Sequence, residues 1–147
     1  MLGNILNRLK GTAGSLATSA LSSSDKDVME AMVAAATITA FADGDCSDEE
    51  VTVITNILDT SDQLEAFGDE PAELFEKYCK TMEASARMGK NKLMKEIKDV
   101  VGDEENAIRV LIMAIEVADS DNNIDEDEMK VLKAIATTLN LNLNDHI

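Results

Sequence analysis

Two stretches, Asp43-Gly-Asp-Cys-Ser-Asp-Glu-Glu-Val51 (DGDCSDEEV) and Asp121-Asn-Asn-Ile-Asp-Glu-Asp-Glu-Met129 (DNNIDEDEM), stand 78 residues apart and align without a gap. The correspondence continues past them, with Val53 over Val131, Ile54 over Leu132 and Ile57 over Ile135. Self-similarity at one fixed offset means that one supersecondary unit is used twice. Each copy reads as a helix, an acidic elbow and a second helix.

Helical spacing supports this independently of the repeat. Apolar residues recur at Ile108, Leu111, Ile112 and Ile115, at Met129, Leu132, Ala136 and Leu139, at Leu74, Phe75, Tyr78, Cys79 and Met82, and at Leu93, Met94, Ile97 and Val101. Pro71 suits a first helical turn, and Gly102-Asp103 reads as a stop followed by an N-cap. The expected fold is all-α: a single-domain bundle of six or seven helices without a sheet, containing two pseudo-repeated helix–acidic elbow–helix units. Helices near 26–42 and 104–119 should be central. The first is crowded with Ala31, Ala34, Ala35, Ala36 and Ala40, which permits close approach, and the second is apolar almost all round until Glu116.

The composition agrees. The chain has 147 residues, of which 45% are hydrophobic and only 3% aromatic, so a core can form but must be built from aliphatic side chains. The eight methionines read as packing, since none clusters with Cys or His. A formal charge of −16 repels phosphate backbones and anionic headgroups, which sets nucleic acid aside as a partner. The charge is uneven, however. Arg87, Lys90, Lys92, Lys95 and Lys98 form a basic island with only Glu96 inside it. It reads first as the solvated face of a helix, with a docking site as the alternative.

Two cysteines make no disulfide framework, and the N-terminus lacks the apolar core and cleavage site of a secretory signal, so a cytoplasmic location is expected. The longest mostly apolar run, Ala31 to Ala42, is too short for a membrane span. Residues 1–24 are read as a separate amphipathic and flexible segment, and residues 25–147 as the helical domain. Within the first, Leu2, Ile5, Leu6 and Leu9 make one apolar stripe, and Ser22-Ser23-Ser24 loosens the chain. With only Arg8 and Lys10 to attract anionic lipid, packing or contact with another protein is preferred over the membrane.

The elbows concentrate 11 carboxylates in residues 43–50 and 119–128 with no Lys or Arg among them. Helix capping explains part of this: Ser47 with Glu50, and Asp125 with Glu128, have the spacing of a capping box, and acids in a first turn face the positive end of the helix dipole. Capping does not explain Asp43 and Asp45, or Asp119 and Asp121, which precede the new helix and lie near the negative end of the old one. Oxygen donors at Asp43, Asp45, Ser47 and Glu50, and at Asp119, Asp121, Asn123, Asp125 and Glu128, suit a hard divalent cation, calcium rather than magnesium. Solvated turn formers are the alternative. The pattern is not an EF-hand: counted from Asp119, the sixth position is Ile124 where Gly is needed, and the twelfth is Lys130 where Glu is needed.

Ala42-Asp43-Gly44 with Ser47 and Glu50, Ser120-Asp121-Asn122 with Asp125, Asp127 and Glu128, and the run Val131-Leu132-Lys133-Ala134-Ile135-Ala136 together resemble the tellurite resistance TerB family over roughly residues 28–143. The resemblance implies an all-α module of tellurium-resistance and stress-response systems whose acidic elbow residues are candidate metal ligands. It also implies protein partners, since related modules occur in a membrane-anchored DnaJ-like co-chaperone. Two positions depart from the family pattern: Asn122 stands where glycine is expected, though Asn tolerates a left-handed backbone, and Cys46 where an aliphatic residue is usual.

The leading expectation is therefore a non-enzymatic module that binds a divalent cation at its elbows and docks protein partners. Its rival is a structural adaptor of the DnaJ-associated kind, whose elbows only cap helices. An enzyme is not expected. His146 is the only histidine and is read as solvated, and no Ser-His or Cys-His constellation, Gly-rich phosphate loop or HExxH helix is present. Cys46 aligns with Ile124, and Cys79 lies on the stripe with Phe75 and Met82, so both read as small buried hydrophobes rather than nucleophiles.

Overall fold

A run of alanines this dense can be covered from several directions at once, and that decides the architecture. The computed structural model describes residues 22–147; the Leu2, Ile5, Leu6 and Leu9 stripe lies outside them. Helix α1 spans Ser23–Ala40, α2 Asp48–Thr60, α3 Glu70–Ala84, α4 Ala86–Lys98, α5 Glu104–Ala118 and α6 Glu126–Thr138. Short 3-10 helices fill Asp62–Phe67 and Leu143–Asp145, and the described residues contain no strand. The expected single-domain all-α bundle is present. No helix of the described residues is long and apolar enough to cross a membrane.

Helix α1 is the axis. It touches α2, α3, α4, α5 and α6, and every residue from Val28 to Phe41 except Glu30 is buried. Alanine on several faces makes this feasible, because neighbouring helices approach without displacing large side chains. Two threonines interrupt the apolar run, and both are buried. Each satisfies its hydroxyl within the helix, Thr37 donating to the Val33 carbonyl and Thr39 to the Ala35 carbonyl, both at 2.8 Å. The helix starts earlier than expected. Ser22 and Asp25 close a capping box, each side chain accepting the other's backbone amide at 3.0–3.1 Å, so serines read as loosening the chain include a helix cap.

Helix α5 is the second central element, but its buried face is not the one that spacing suggested. Ala107, Val110, Leu111, Met113, Ala114, Val117 and Ala118 are its buried residues, whereas Ile108, Ile112 and Ile115 are only half-buried. A helix apolar nearly all round offers two competing stripes. The stripe that contains the three alanines faces inward because the alanine-rich α1 packs closely there. The other stripes hold in most positions: Phe75, Tyr78, Cys79 and Met82 on α3, Leu93 and Ile97 on α4, and Leu132, Ala136 and Leu139 around α6 are buried, while Leu74, Met94, Val101 and Met129 are half-buried at their edges.

Pro71 sits in the first turn of α3, and Asp103 caps α5 by accepting the Asn106 amide at 3.1 Å. The α3–α4 junction is tight. Gly89 lies where an added Cβ would come within 3.0 Å of the Thr81 carbonyl oxygen and 3.1 Å of the Met82 Cα.

Candidate functional site

The two elbows fold by the same sequence of bonds. Leaving α1, the Phe41 amide donates to the Thr37 carbonyl at 3.1 Å and the Gly44 amide to the Phe41 carbonyl at 2.8 Å. Leaving α5, the Asp119 amide donates to the Ile115 carbonyl and the Asn122 amide to the Asp119 carbonyl, both at 2.9 Å. Each turn then needs one residue in the left-handed region. Gly44 supplies it with φ of +96° and Asn122 with φ of +64°. Asparagine is among the few residues with a side chain that visit this region readily, so the departure from glycine leaves the turn intact.

The next bond accounts for two of the four aspartates that capping alone leaves unexplained. Asp43 Oδ1 accepts the Asp45 amide at 3.2 Å, and Asp121 Oδ1 accepts the Asn123 amide at 3.1 Å. These are Asx turns, in which a side-chain carbonyl or carboxylate stands in for a backbone acceptor. Then come the two capping boxes. Ser47 Oγ accepts the Glu50 amide at 3.2 Å while Glu50 Oε1 accepts the Ser47 amide at 2.8 Å. Asp125 Oδ1 accepts the Glu128 amide at 2.7 Å while Glu128 Oε1 accepts the Asp125 amide at 3.0 Å. Asp45, Asp119 and Asn123 make no side-chain bond of this kind and are exposed.

What the sequence left open is where the elbows lie relative to each other. They flank one cleft of about 210 Å³, to which the first contributes Ser47, Glu49 and Glu50 and the second Ser120, Asp121 and Glu128, over an apolar floor that includes Ala40 and Val117. Of the nine expected donors, Ser47, Glu50, Asp121 and Glu128 line it, and Asp43, Asp45, Asp119, Asn123 and Asp125 do not. Glu49 and Ser120 line it without having been singled out as ligands. Only the adjacency of the elbows reveals them, since each is an ordinary cap or turn residue in its own copy.

The cleft is electrostatically loaded. Glu128 has its carboxyl pushed above the usual range, chiefly by burial; the Asp125 amide bond opposes the shift, and Asp125, Asp121 and Asp43 add to it. Asp43 belongs to the other elbow, so repulsion is felt across the gap. Five carboxylates, those of Asp43, Glu50, Asp121, Asp125 and Glu128, each place one oxygen on a backbone amide. A carboxylate has about four lone-pair sites, so capping and cation binding do not exclude each other. The bonds hold these groups on the chain rather than on a common centre. Among the described residues no three His, Cys, Asp or Glu side chains converge as metal ligands.

Nucleophile chemistry finds no support nearby. Cys46 is half-buried, and its thiol is pushed up to about 12 by burial, then by Cys79, Glu50, Asp45 and Asp43. Cys79 is buried, with its thiol pushed up to about 11 by burial, Glu83 and Glu76. Both shifts disfavour the thiolate. Cys46 packs against the core as its counterpart Ile124 does. His146 is half-buried rather than solvated.

Comparison with known proteins identifies the family. The family model described as tellurite resistance protein TerB matches residues 29–147. No curated protein and no solved structure matches the chain.

Proposed function

The chain belongs to the tellurite resistance TerB family, and on that premise we propose that it is a non-enzymatic module that binds one divalent cation between its elbows and docks protein partners on other faces. The supporting observation is the shared cleft. Ser47 and Glu50 line it together with Asp121 and Glu128, and the Glu128 carboxyl is raised chiefly by burial, with repulsion from Asp125, Asp121 and Asp43 added. A hard cation relieves that repulsion with the free oxygens of groups that already cap helices. Calcium suits the site better than magnesium, because it accepts irregular oxygen shells and sheds water more readily.

The test is calorimetric titration of calcium into the wild-type protein and into the Asp43→Asn and Asp121→Asn variants. Asn keeps the Asx turn but removes the charge. Each variant is expected to stay as stable as the wild type without metal and to bind calcium more weakly, Asp121→Asn at least about tenfold through loss of a ligand that lines the cleft and Asp43→Asn by less, through loss of a charge felt across it. Wild-type affinity in both would falsify the site.

One observation favours the adaptor reading instead. Every bond that the elbow carboxylates make in this structure is a cap or a turn bond. If calcium gives no heat in the wild type, capping is the whole role of the elbows, and the partner-docking half of the proposal stands alone.

A further inference from the structure

Helix α4 places its apolar residues Gly89, Leu93 and Ile97 inward and buried, which leaves Met88, Asn91, Lys92 and Lys95 along one outward stripe by their helical spacing. That stripe borders an open groove of about 640 Å³, completed by Thr81, Ala84 and Ser85 at the end of α3. Met88 is 74% exposed, against 43% for Val53 and 51% for Ile147, the other exposed large hydrophobics of the described residues. The closeness of α3 and α4 at Gly89 forms the base of the groove. No acid lines it.

The cations beside it are free, although the protein carries 29 acids. Among the described residues two ion pairs form, Lys26 with Glu70 at 3.4 Å and Arg109 with Glu105 at 2.8 Å, and neither uses Arg87, Lys90, Lys92, Lys95 or Lys98. The one acid of the island, Glu96, is half-buried, and burial followed by Glu30, Asp99 and Asp27 pushes its carboxyl up while Lys77 opposes. Glu96 does not line the groove.

We propose that this groove docks an acidic, amphipathic helical segment of another protein, with an apolar side chain against Met88 and Ala84 and carboxylates on Lys92 and Lys95. Charge complementarity selects the occupant, and the surroundings limit its size. Helix α4 is about 20 Å long, and beyond a screening length of roughly 8 Å the remaining molecule is strongly negative. A short acidic segment fits inside the positive area. A nucleic acid or an anionic membrane plane extends past it into repulsion, and a second copy of the chain brings a net charge of −16 with it. The inference deepens the partner-docking half of the proposed function and is independent of the cation half.

The experiment uses the full chain, isotope-labelled for NMR, with calcium removed by a chelator so that the result does not depend on the elbows. It is titrated with a synthetic helix of alternating Leu and Glu faces, with a Ser/Glu peptide of equal charge and with a Leu/Lys peptide. The expected result is that the Leu/Glu helix perturbs Met88, Lys92 and Lys95, and that the Ser/Glu and Leu/Lys peptides bind at least about tenfold more weakly. Met88→Ser is expected to weaken the Leu/Glu helix about tenfold, and the double variant Lys92→Glu with Lys95→Glu to abolish its binding. Met88→Ser changes one exposed side chain and should keep the wild-type melting temperature, while the double variant, which adds negative charge to a chain of −16, should melt lower but keep the wild-type helical circular dichroism. Equal binding of the Ser/Glu peptide, perturbation confined to other faces, binding to phosphatidylglycerol vesicles in place of the peptide, or self-association that Met88→Ser dissolves would each overturn the proposal.

Discussion

Ser47 and Glu128 show how a single side chain in the elbows can serve the fold and the site together. Ser47 closes a capping box on α2 at 2.8–3.2 Å, so Ser47→Ala should cost about 0.5–2 kcal/mol. The same loss is expected with and without calcium if the hydroxyl is a cap alone, and a larger loss with calcium if it also ligates; chemical denaturation in both conditions distinguishes the two. Glu128 is different, because its folded carboxyl lies above its ordinary value of 4.5. A raised carboxyl means that the folded state holds the proton more tightly than the unfolded state, so ionisation of Glu128 opposes folding at neutral pH and ceases to do so as pH falls through its folded value toward 4.5. Gln preserves the capping box. Glu128→Gln should therefore melt higher than the wild type at pH 7 without metal, with the gap closing near pH 4. A gap that widened on acidification would show that the repulsion across the cleft has been misread.

At the scale of the elements, the two elbows share a backbone path that only certain residues can follow. Gly44 has φ of +96° with open space where a Cβ would go, so Gly44→Ala meets conformational strain alone, about 1–2 kcal/mol. Gly44→Asn should cost clearly less, since Asn122 takes the corresponding position at +64°. Gly89→Ala fails for another reason: its Cβ would press on backbone of α3, an overpacking cost of about 1–3 kcal/mol. Thermal unfolding of the three variants gives the ranking, and an Asn variant as damaging as the Ala variant at 44 would remove the equivalence of the elbows. Helix type, number and order were legible from spacing, capping boxes and Pro71. The inward face of α5 was not, because Ile108, Ile112 and Ile115 compete with Ala107, Val110, Ala114 and Ala118, and only the closeness of α1 chooses between them.

For the whole molecule, charge is segregated: the elbows with their cleft are acidic, and α4 carries five unpaired cations. An ion that binds only the folded state raises the melting temperature by mass action. At matched ionic strength, about 1 mM calcium, a concentration at the weak end of protein sites, should raise it more than magnesium does. Sodium at the same ionic strength is the control, because general screening also relieves self-repulsion in a chain of charge −16. An equal rise with all three salts would mean screening without a site.

Local chemistry was enough to determine the helices, their caps, the two acidic turns and the family likeness, because capping boxes and left-handed turn residues act within four or five residues of one another. Asp43 and Asp121 were legible as special, though their Asx bonds were not. Tertiary packing alone decided that the elbows flank one cleft, which Glu50, Asp121 and Glu128 line together. It also decided that Val53 is exposed while its counterpart Val131 is buried. Repeated sequence makes repeated local structure, but burial and proximity depend on what packs from outside the repeat, and here that is settled by how closely the alanine-rich α1 lets its neighbours approach.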